Sequence, residues 1–227
     1  MSVRTLVFKY LDIPSALGKP FAGRGGSVRF FLLHHEIPFE DVLVSFDDWR
    51  ASEKARVIET NQSPGGYLPV LVLPGGEELS EHSAIARYVA AANHISNKEG
   101  ALGDAKQDIV ASAQQAWRDA FVKAAFSPSA DEKSAFTNEL APKHMAILEA
   151  LYTKYKSSPA DSPFLTTCST GNKGMWGDAL VFGVLHDQQA SGLVNPDSYN
   201  KYPHLSALFK AYNADANIRG WIAKVSK

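Results

Sequence analysis

Gly66-Tyr67-Leu68-Pro69-Val70-Leu71-Val72-Leu73, then Pro74-Gly75-Gly76, then Glu81-His82-Ser83-Ala84-Ile85-Ala86-Arg87-Tyr88-Val89-Ala90, is the stretch on which the fold turns. A β-rich run headed by a proline, a short glycine turn, a polar trio and a helix with apolar residues at 84, 85, 88 and 89 make one compact unit. Pro69 has no amide hydrogen, so it opens a strand or lies on an edge. With a cis bond before it, the Leu68 main chain turns outward as a donor and acceptor for another peptide. Glu81, His82 and Ser83 stand at the start of the helix, where unpaired amides and the positive end of the dipole suit a carboxylate.

Upstream, Thr5 to Tyr10 reads as a strand, Leu11 to Gly26 as a loop rich in glycine and proline, and Val28 to Glu36 as a helix ending before Pro38. Phe39 to Val44 alternates as a second strand, and Trp49 to Thr60 reads as a short polar helix or irregular arm. Strand, helix, strand, crossover, two strands and helix within about ninety residues predict a small α/β sheet of thioredoxin-like order.

After Gly103 the strands disappear. Ala105 to Phe126, Asp131 to Lys156 with a kink at Pro142, Gly177 to Ala190, Pro203 to Asn213 and Ile218 to Val225 read as helices. The expected division is residues 1–93 as a thioredoxin-like domain, 94–103 as a linker and 104–227 as an all-helical domain.

The 227 residues are 45% hydrophobic, enough for a packed core, and carry 23 basic against 24 acidic side chains for a net charge of -1. With no like-charge block, neither nucleic acid nor an anionic membrane surface is an expected partner. The N-terminal residues lack the apolar core and cleavage site of a secretory signal, and no run approaches spanning length, so a cytoplasmic location is expected. The single cysteine, Cys168, cannot form an internal disulfide and has no basic neighbour to activate it. His34, His35 and His186 lack metal-ligand spacing, and no metal is expected.

The Leu-Pro-Val-Leu run with its Glu-His-Ser-Ala-Ile-Ala-Arg-Tyr helix resembles the glutathione-binding half of the cytosolic glutathione transferases, most closely the sigma-like branch. Asn138-Glu139-Leu140, Trp176-Gly177-Asp178 and Tyr202-Pro203-His204-Leu205 extend the likeness into the helical half. The resemblance implies a homodimer of α/β thioredoxin-like domain plus all-helical domain that uses glutathione as co-substrate. It also implies conjugation of the glutathione thiol to small hydrophobic electrophiles.

What such an enzyme must do is stabilise the thiolate, by a donor that bonds to the charged form. Sigma-like relatives use a tyrosine at the end of the first strand. Here Phe8 falls at that spot, and Tyr10, two residues on and on the same strand face, is the first choice. Ser27 and Arg24 are the alternatives, and roughly a dozen residues, Leu11 to Ala22, are inserted before Gly23-Arg24-Gly25. The resemblance assigns the glycyl end of glutathione to Trp49 and Lys54, although Glu53 stands where the usual lysine would. The cysteinyl unit falls to the main chain of Leu68 before Pro69, and the γ-glutamyl end to Glu81, His82 and Ser83, with His82 at the usual serine.

Trp117, Phe121 and Phe126 are candidates for the apolar wall of the acceptor site. Asp108 matches an acid that reaches the partner's glutathione in relatives, while Ser112 replaces a second one. Relatives open a buried helix with Ser/Thr-x-x-Asp; here it reads Met175-Trp176-Gly177-Asp178, and Asp178 is expected to accept main-chain hydrogen bonds worth on the order of 1 kcal/mol or more. Two alternative readings stand beside conjugation. One is glutathione-dependent isomerisation or peroxide reduction. The other is a non-catalytic binding or structural protein, as in the lens crystallins that resemble this branch.

Overall fold

The structure, a computed structural model, describes residues 5–13 and 21–225. Strand β1 (Leu6–Leu11) lies between β2 (Phe39–Val44), which it pairs in parallel from Leu6↔Phe39 to Leu11↔Val44, and β3 (Val70–Val72), which it pairs antiparallel. β4 (Glu78–Ser80) closes the edge against β3, giving the order β2-β1-β3-β4. The turn at Pro74-Gly75-Gly76 is held by Leu73 N–H to Glu77 O and Gly76 N–H to Leu73 O.

Helix α1 (Gly23–His34) connects β1 to β2. The glycines that read as loop up to Gly26 instead form its first turn, and the helix stops at His34 rather than Glu36. The reason is tertiary: the Asp187 carboxylate accepts from the amides of Ala22 (2.6 Å) and Gly23 (2.9 Å), supplying the cap that Ala22 cannot. Residues 14–20 of the insertion lie outside the described residues.

The arm after β2 is helical throughout: α2 (Phe46–Asp48), a π-helical stretch Trp49–Glu53 and α3 (Lys54–Glu59), opened by Ser45 Oγ accepting from Asp48 N–H at 3.0 Å. The Leu68–Pro69 peptide is cis. Helix α4 (His82–Ala92) follows β4 and lies against α1.

Of the span 94–103, Ala101 already belongs to α5 (Ala101–Ala125). The single helix expected over 131–156 is α6 (Ala130–Ala135), a π-helical stretch Phe136–Leu140 and α7 (Ala141–Tyr155). Pro142 has no N–H to give, and the chain answers just before it by letting the Ala141 amide reach back to Phe136 O. Helix α8 (Trp176–Ser191), a 3-10 turn at Pro196–Lys201, α9 (Pro203–Ala214) and α10 (Ala216–Val225) complete the fold.

Helix α8 is buried on nearly every side, between α1 and α5. Two glycines permit the approach: a β-carbon on Gly183 would stand 2.0 Å from Ser27 Oγ, and one on Gly177 would stand 2.6 Å from the Gln107 carbonyl. At the other end of the sheet, Arg29 lies over the Trp221 ring at 4.7 Å and bonds Asp41, which also accepts from Trp221 Nε1 at 3.0 Å. The helical half is thereby fastened to α1 through both α8 and α10. No helix among the described residues is long and apolar enough to cross a membrane.

Candidate functional site

Two cavities meet at the start of α1. A polar one of about 350 Å3 is walled by Leu68, Pro69, Glu81 and His82 from the sheet side and by Gln115 and Asp119 of α5. An apolar one of about 260 Å3 is walled by Tyr10, Ile13, Phe21, Phe121 and Phe126, with Arg118 and Asp187 also in its lining. Arg24 borders both.

Local sequence explains the polar wall. The cis Leu68–Pro69 peptide precedes β3 by one residue, and β4 leads directly into Glu81, which adopts φ +70°. That conformation costs a non-glycine residue about 1–3 kcal/mol and persists only where the surroundings impose it. His82 is the first residue of α4 and is 6% exposed, with Nδ1 buried and without a hydrogen-bond partner among the described residues. Burial, and after it the Arg118 and Arg24 guanidiniums, depress its pKa to about 4, so the imidazole is neutral at physiological pH. It can give or take a hydrogen bond but offers no charge.

The expected site residues fall into three groups. Leu68, Pro69, Glu81 and His82 share the polar cavity, whereas the exposed Ser83 faces a neighbouring groove between α4 and α5. Trp49 is half-buried on the helical arm and is not part of the polar cavity's wall; Lys54 lays its stem over Gly66, where a β-carbon would stand 3.3 Å from Lys54 Cε. Tyr10 borders the apolar cavity and not the polar one.

Tyr10 is held closely. Its ring lies on Gly23 and Gly25, where a β-carbon would come within 2.3 Å of the hydroxyl or 2.1 Å of the ring, and the hydroxyl accepts from Arg24 N–H at 3.0 Å. Burial raises its pKa; the Arg118 guanidinium pulls it back and Asp187 adds to the rise. The phenol therefore keeps its proton and remains a donor. Phe8 is fully buried, edge-on to Phe39 and beneath Arg29. Ser27 is 1% exposed, faces α8 and accepts from Arg118 Nη2 at 3.4 Å, which leaves it in neither cavity wall.

Trp117 is fully buried in the core, while Phe121 and the 62% exposed Phe126 do border the apolar cavity, both against Phe21. Asp108 is engaged within the chain, paired with Arg87 at 3.2 Å and accepting from Trp176 Nε1 at 3.2 Å. Cys168 is buried, 3.1 Å from the Thr170 hydroxyl.

Four site residues escape the sequence reading: Gln115, Arg118, Asp119 and Asp187. Asp119 pairs with Arg24 and accepts from Gln115 Nε2 at 2.8 Å; Arg118 and Asp187, each about 1% exposed, pair with one another. A signal did exist for the second pair. Arg118 lies three residues before Phe121 and Asp187 three after Val184, at helical spacing from apolar residues, and a charge at a core position is almost always paired.

Comparison with known proteins gives this geometry a family context. Residues 115–225 match the glutathione S-transferase C-terminal domain. Among solved structures, the transferase fold recurs over nearly the whole chain. The Pi-class glutathione S-transferase of Onchocerca volvulus is similar with a TM-score of 0.74 and 19% identity, over 97% of this chain and 93% of that one. The glutathione S-transferase of Ascaris lumbricoides gives 0.72 and 23% over 98% of each, and the prostaglandin synthase D of Nilaparvata lugens 0.71 and 21% over 97% and 98%. No curated protein matches the chain. The architecture is that of a glutathione transferase, a small mixed-sheet domain followed by a helical one.

Proposed function

We propose that the protein is a glutathione transferase of the sigma-like kind, which binds glutathione in the polar cavity and conjugates its thiol to a small hydrophobic electrophile held in the apolar one. The observation that carries this reading is Arg24, which borders both cavities at the start of α1. A thiolate passing from one cavity to the other meets its guanidinium, a charged donor that favours the anion.

The main chain of Leu68 pairs with the cysteinyl unit, Glu81, His82 and Ser83 receive the γ-glutamyl end, and Trp49 and Lys54 the glycyl end. Tyr10 is the catalytic hydroxyl. Holding both reactants in adjoining cavities supplies orientation, and stabilising the thiolate supplies the nucleophile. The reading includes a cytoplasmic homodimer. Along α5, Leu102, Ala105, Ile109, Ser112 and Ala116 form an exposed, uncharged stripe beside the groove that Ser83 enters, and a second copy would cover it.

Calorimetry with glutathione, paired with turnover of a chloronitrobenzene acceptor, tests the proposal. Micromolar to millimolar binding with conjugate formation is expected. Binding without any turnover of conjugation, isomerisation or peroxide substrates would instead favour a non-catalytic binding protein. Analysis of the product separates conjugation from the isomerase and peroxidase readings.

A further inference from the structure

The placement of Tyr10 points past the thiol. In a transferase whose tyrosine serves only the sulfur, the hydroxyl belongs in the wall of the glutathione cavity. Here Tyr10 stands instead in the wall of the apolar cavity, among Ile13, Phe21, Phe121 and Phe126. The hydroxyl oxygen already accepts the Arg24 amide proton, and its own proton has no acceptor among the described residues. The other charged groups of that cavity are occupied with one another, since Arg118 bonds Asp187, and Asp187 also holds the Ala22 and Gly23 amides.

We infer that Tyr10 is the hydrogen-bond donor to the acceptor substrate rather than to the glutathione sulfur, and that the site therefore favours apolar electrophiles whose reacting carbon is conjugated to an oxygen. This rests on the reading of the two cavities given above. The division of labour is spatial: Arg24, common to both cavities, faces the sulfur, and Tyr10 faces the oxygen.

The step balances without any further reagent. Glutathione gives up its thiol proton to solvent and the sulfur lone pair forms a C–S bond at the β-carbon of a conjugated carbonyl. The π pair of the carbon–carbon bond moves to form the enolate, whose oxygen bears the new charge. The Tyr10 O–H donates to that oxygen as charge develops, and the α-carbon then takes a proton from water. Burial keeps the phenol protonated, so it is a donor throughout the neutral range. Its geometry is fixed by the ring's seat on Gly23 and Gly25, which is the preorganisation that makes such a donor effective.

The test uses the full chain with glutathione, a conjugated enone, and benzyl chloride, whose displacement places charge on chloride and on no oxygen. In Tyr10→Phe the ring packing is retained. The expected result is a loss of about 100-fold in kcat/KM for the enone. The enone rate should fall at least about tenfold further than the benzyl chloride rate, and the pKa of bound glutathione, read from thiolate absorbance, should not rise. A rise in the bound thiol pKa, with both acceptors slowed equally, would return Tyr10 to the sulfur and overturn the inference. Because the Arg24 amide loses its acceptor in that variant, 3-fluorotyrosine at position 10 provides a second arm with the hydroxyl kept. Its more acidic phenol should change the enone rate more than the benzyl chloride rate; equal response of the two rates overturns the inference. If the parent chain fails to bind glutathione at all, the cavity reading fails, and that outcome is separate from either variant's result.

Discussion

Gln107 of α5 caps α8 in place of the side chain that Met175 cannot supply: its Oε1 accepts the Asp178 amide at 3.2 Å, and its Nε2 donates to the Asp178 carboxylate at 3.3 Å. The same carboxylate accepts from Met175 N–H at 3.0 Å, Leu165 N–H at 3.1 Å and the Tyr152 hydroxyl at 2.7 Å, all of it buried. A reciprocal cap that relatives build within four residues is thus completed here from 71 residues away. Asp178→Ala would orphan three donors at once, Gln107 Nε2 keeping the Thr166 hydroxyl, and is expected to cost about 3 kcal/mol, while Gln107→Ala should cost about 1–2 kcal/mol. Urea midpoints of the two variants and of their double mutant check this. The pair should be coupled by at least about 0.5 kcal/mol, and strict additivity would mean that Gln107 does not serve as the cap.

Asp187 does for α1 what Gln107 does for α8, and it also balances the charge of Arg118. Asp187→Ala removes the cap on Ala22 and Gly23 and strands a guanidinium in the core, an arrangement that costs about 3–5 kcal/mol. Replacing both charges, as Arg118→Met with Asp187→Leu, should be less destabilising than Asp187→Ala alone because no buried charge is left unpaired. Denaturant titration decides it. Equal midpoints for the double variant and the single one would show that the amide cap, and not the ion pair, dominates.

These two networks mark the boundary of what the sequence reveals. β2 was readable from its alternation and α9 from its helical spacing, because each pattern records which face is buried. Leu68, Pro69, Glu81 and His82 were legible as a group because they are neighbours in the chain. Gln115, Arg118, Asp119 and Asp187 reach the site from α5 and α8, and the contact of Asp187 with Ala22 spans 165 residues. Nothing local records such a partner. The early start of α1 is hidden for the same reason: its glycines suggest a loop, and the carboxylate that holds the first turn lies far along the chain.

Burial holds His35 at a pKa of about 4, although its hydrogen bond to the Gly174 carbonyl opposes the fall, and His82 is likewise at about 4. Both lie below the ordinary imidazole value of about 6.5, so folding disfavours their charged forms. Their contribution to stability is complete above about pH 6.5 and drains away as pH falls toward 4. Thermal midpoints should be nearly flat from pH 8 to 7 and drop by several degrees between pH 6.5 and 4. The salt-bridged carboxylates Glu36, Glu53 and Glu99, whose pKa values are lowered by their lysine and arginine partners, add their own loss only as pH falls through the ordinary carboxylate range. His35→Gln should flatten the slope just below pH 6.5, above the carboxylate range, and an unaltered slope there would count against the assignment.

Asp119 shares the polar cavity with Arg24 and neutralises it, with Gln115 holding the carboxylate from the other side. On the glutathione reading this is a handicap, because the ligand brings its own carboxylates and a thiolate that needs the same guanidinium. The pair is partly exposed, so its strength is that of a surface bridge, about 0.2–1 kcal/mol. Asp119→Asn removes the negative charge and keeps an oxygen for Gln115. Glutathione should bind about two- to fivefold more tightly to this variant at low salt, and its bound thiol should titrate at lower pH. The gain should shrink as ionic strength rises and the charges are screened. Calorimetry at two salt concentrations measures the first effect and thiolate absorbance the second. If binding instead weakens while the unfolding midpoint stays put, Asp119 is needed to hold Arg24 where the sulfur meets it, and the carboxylate is a support rather than a competitor.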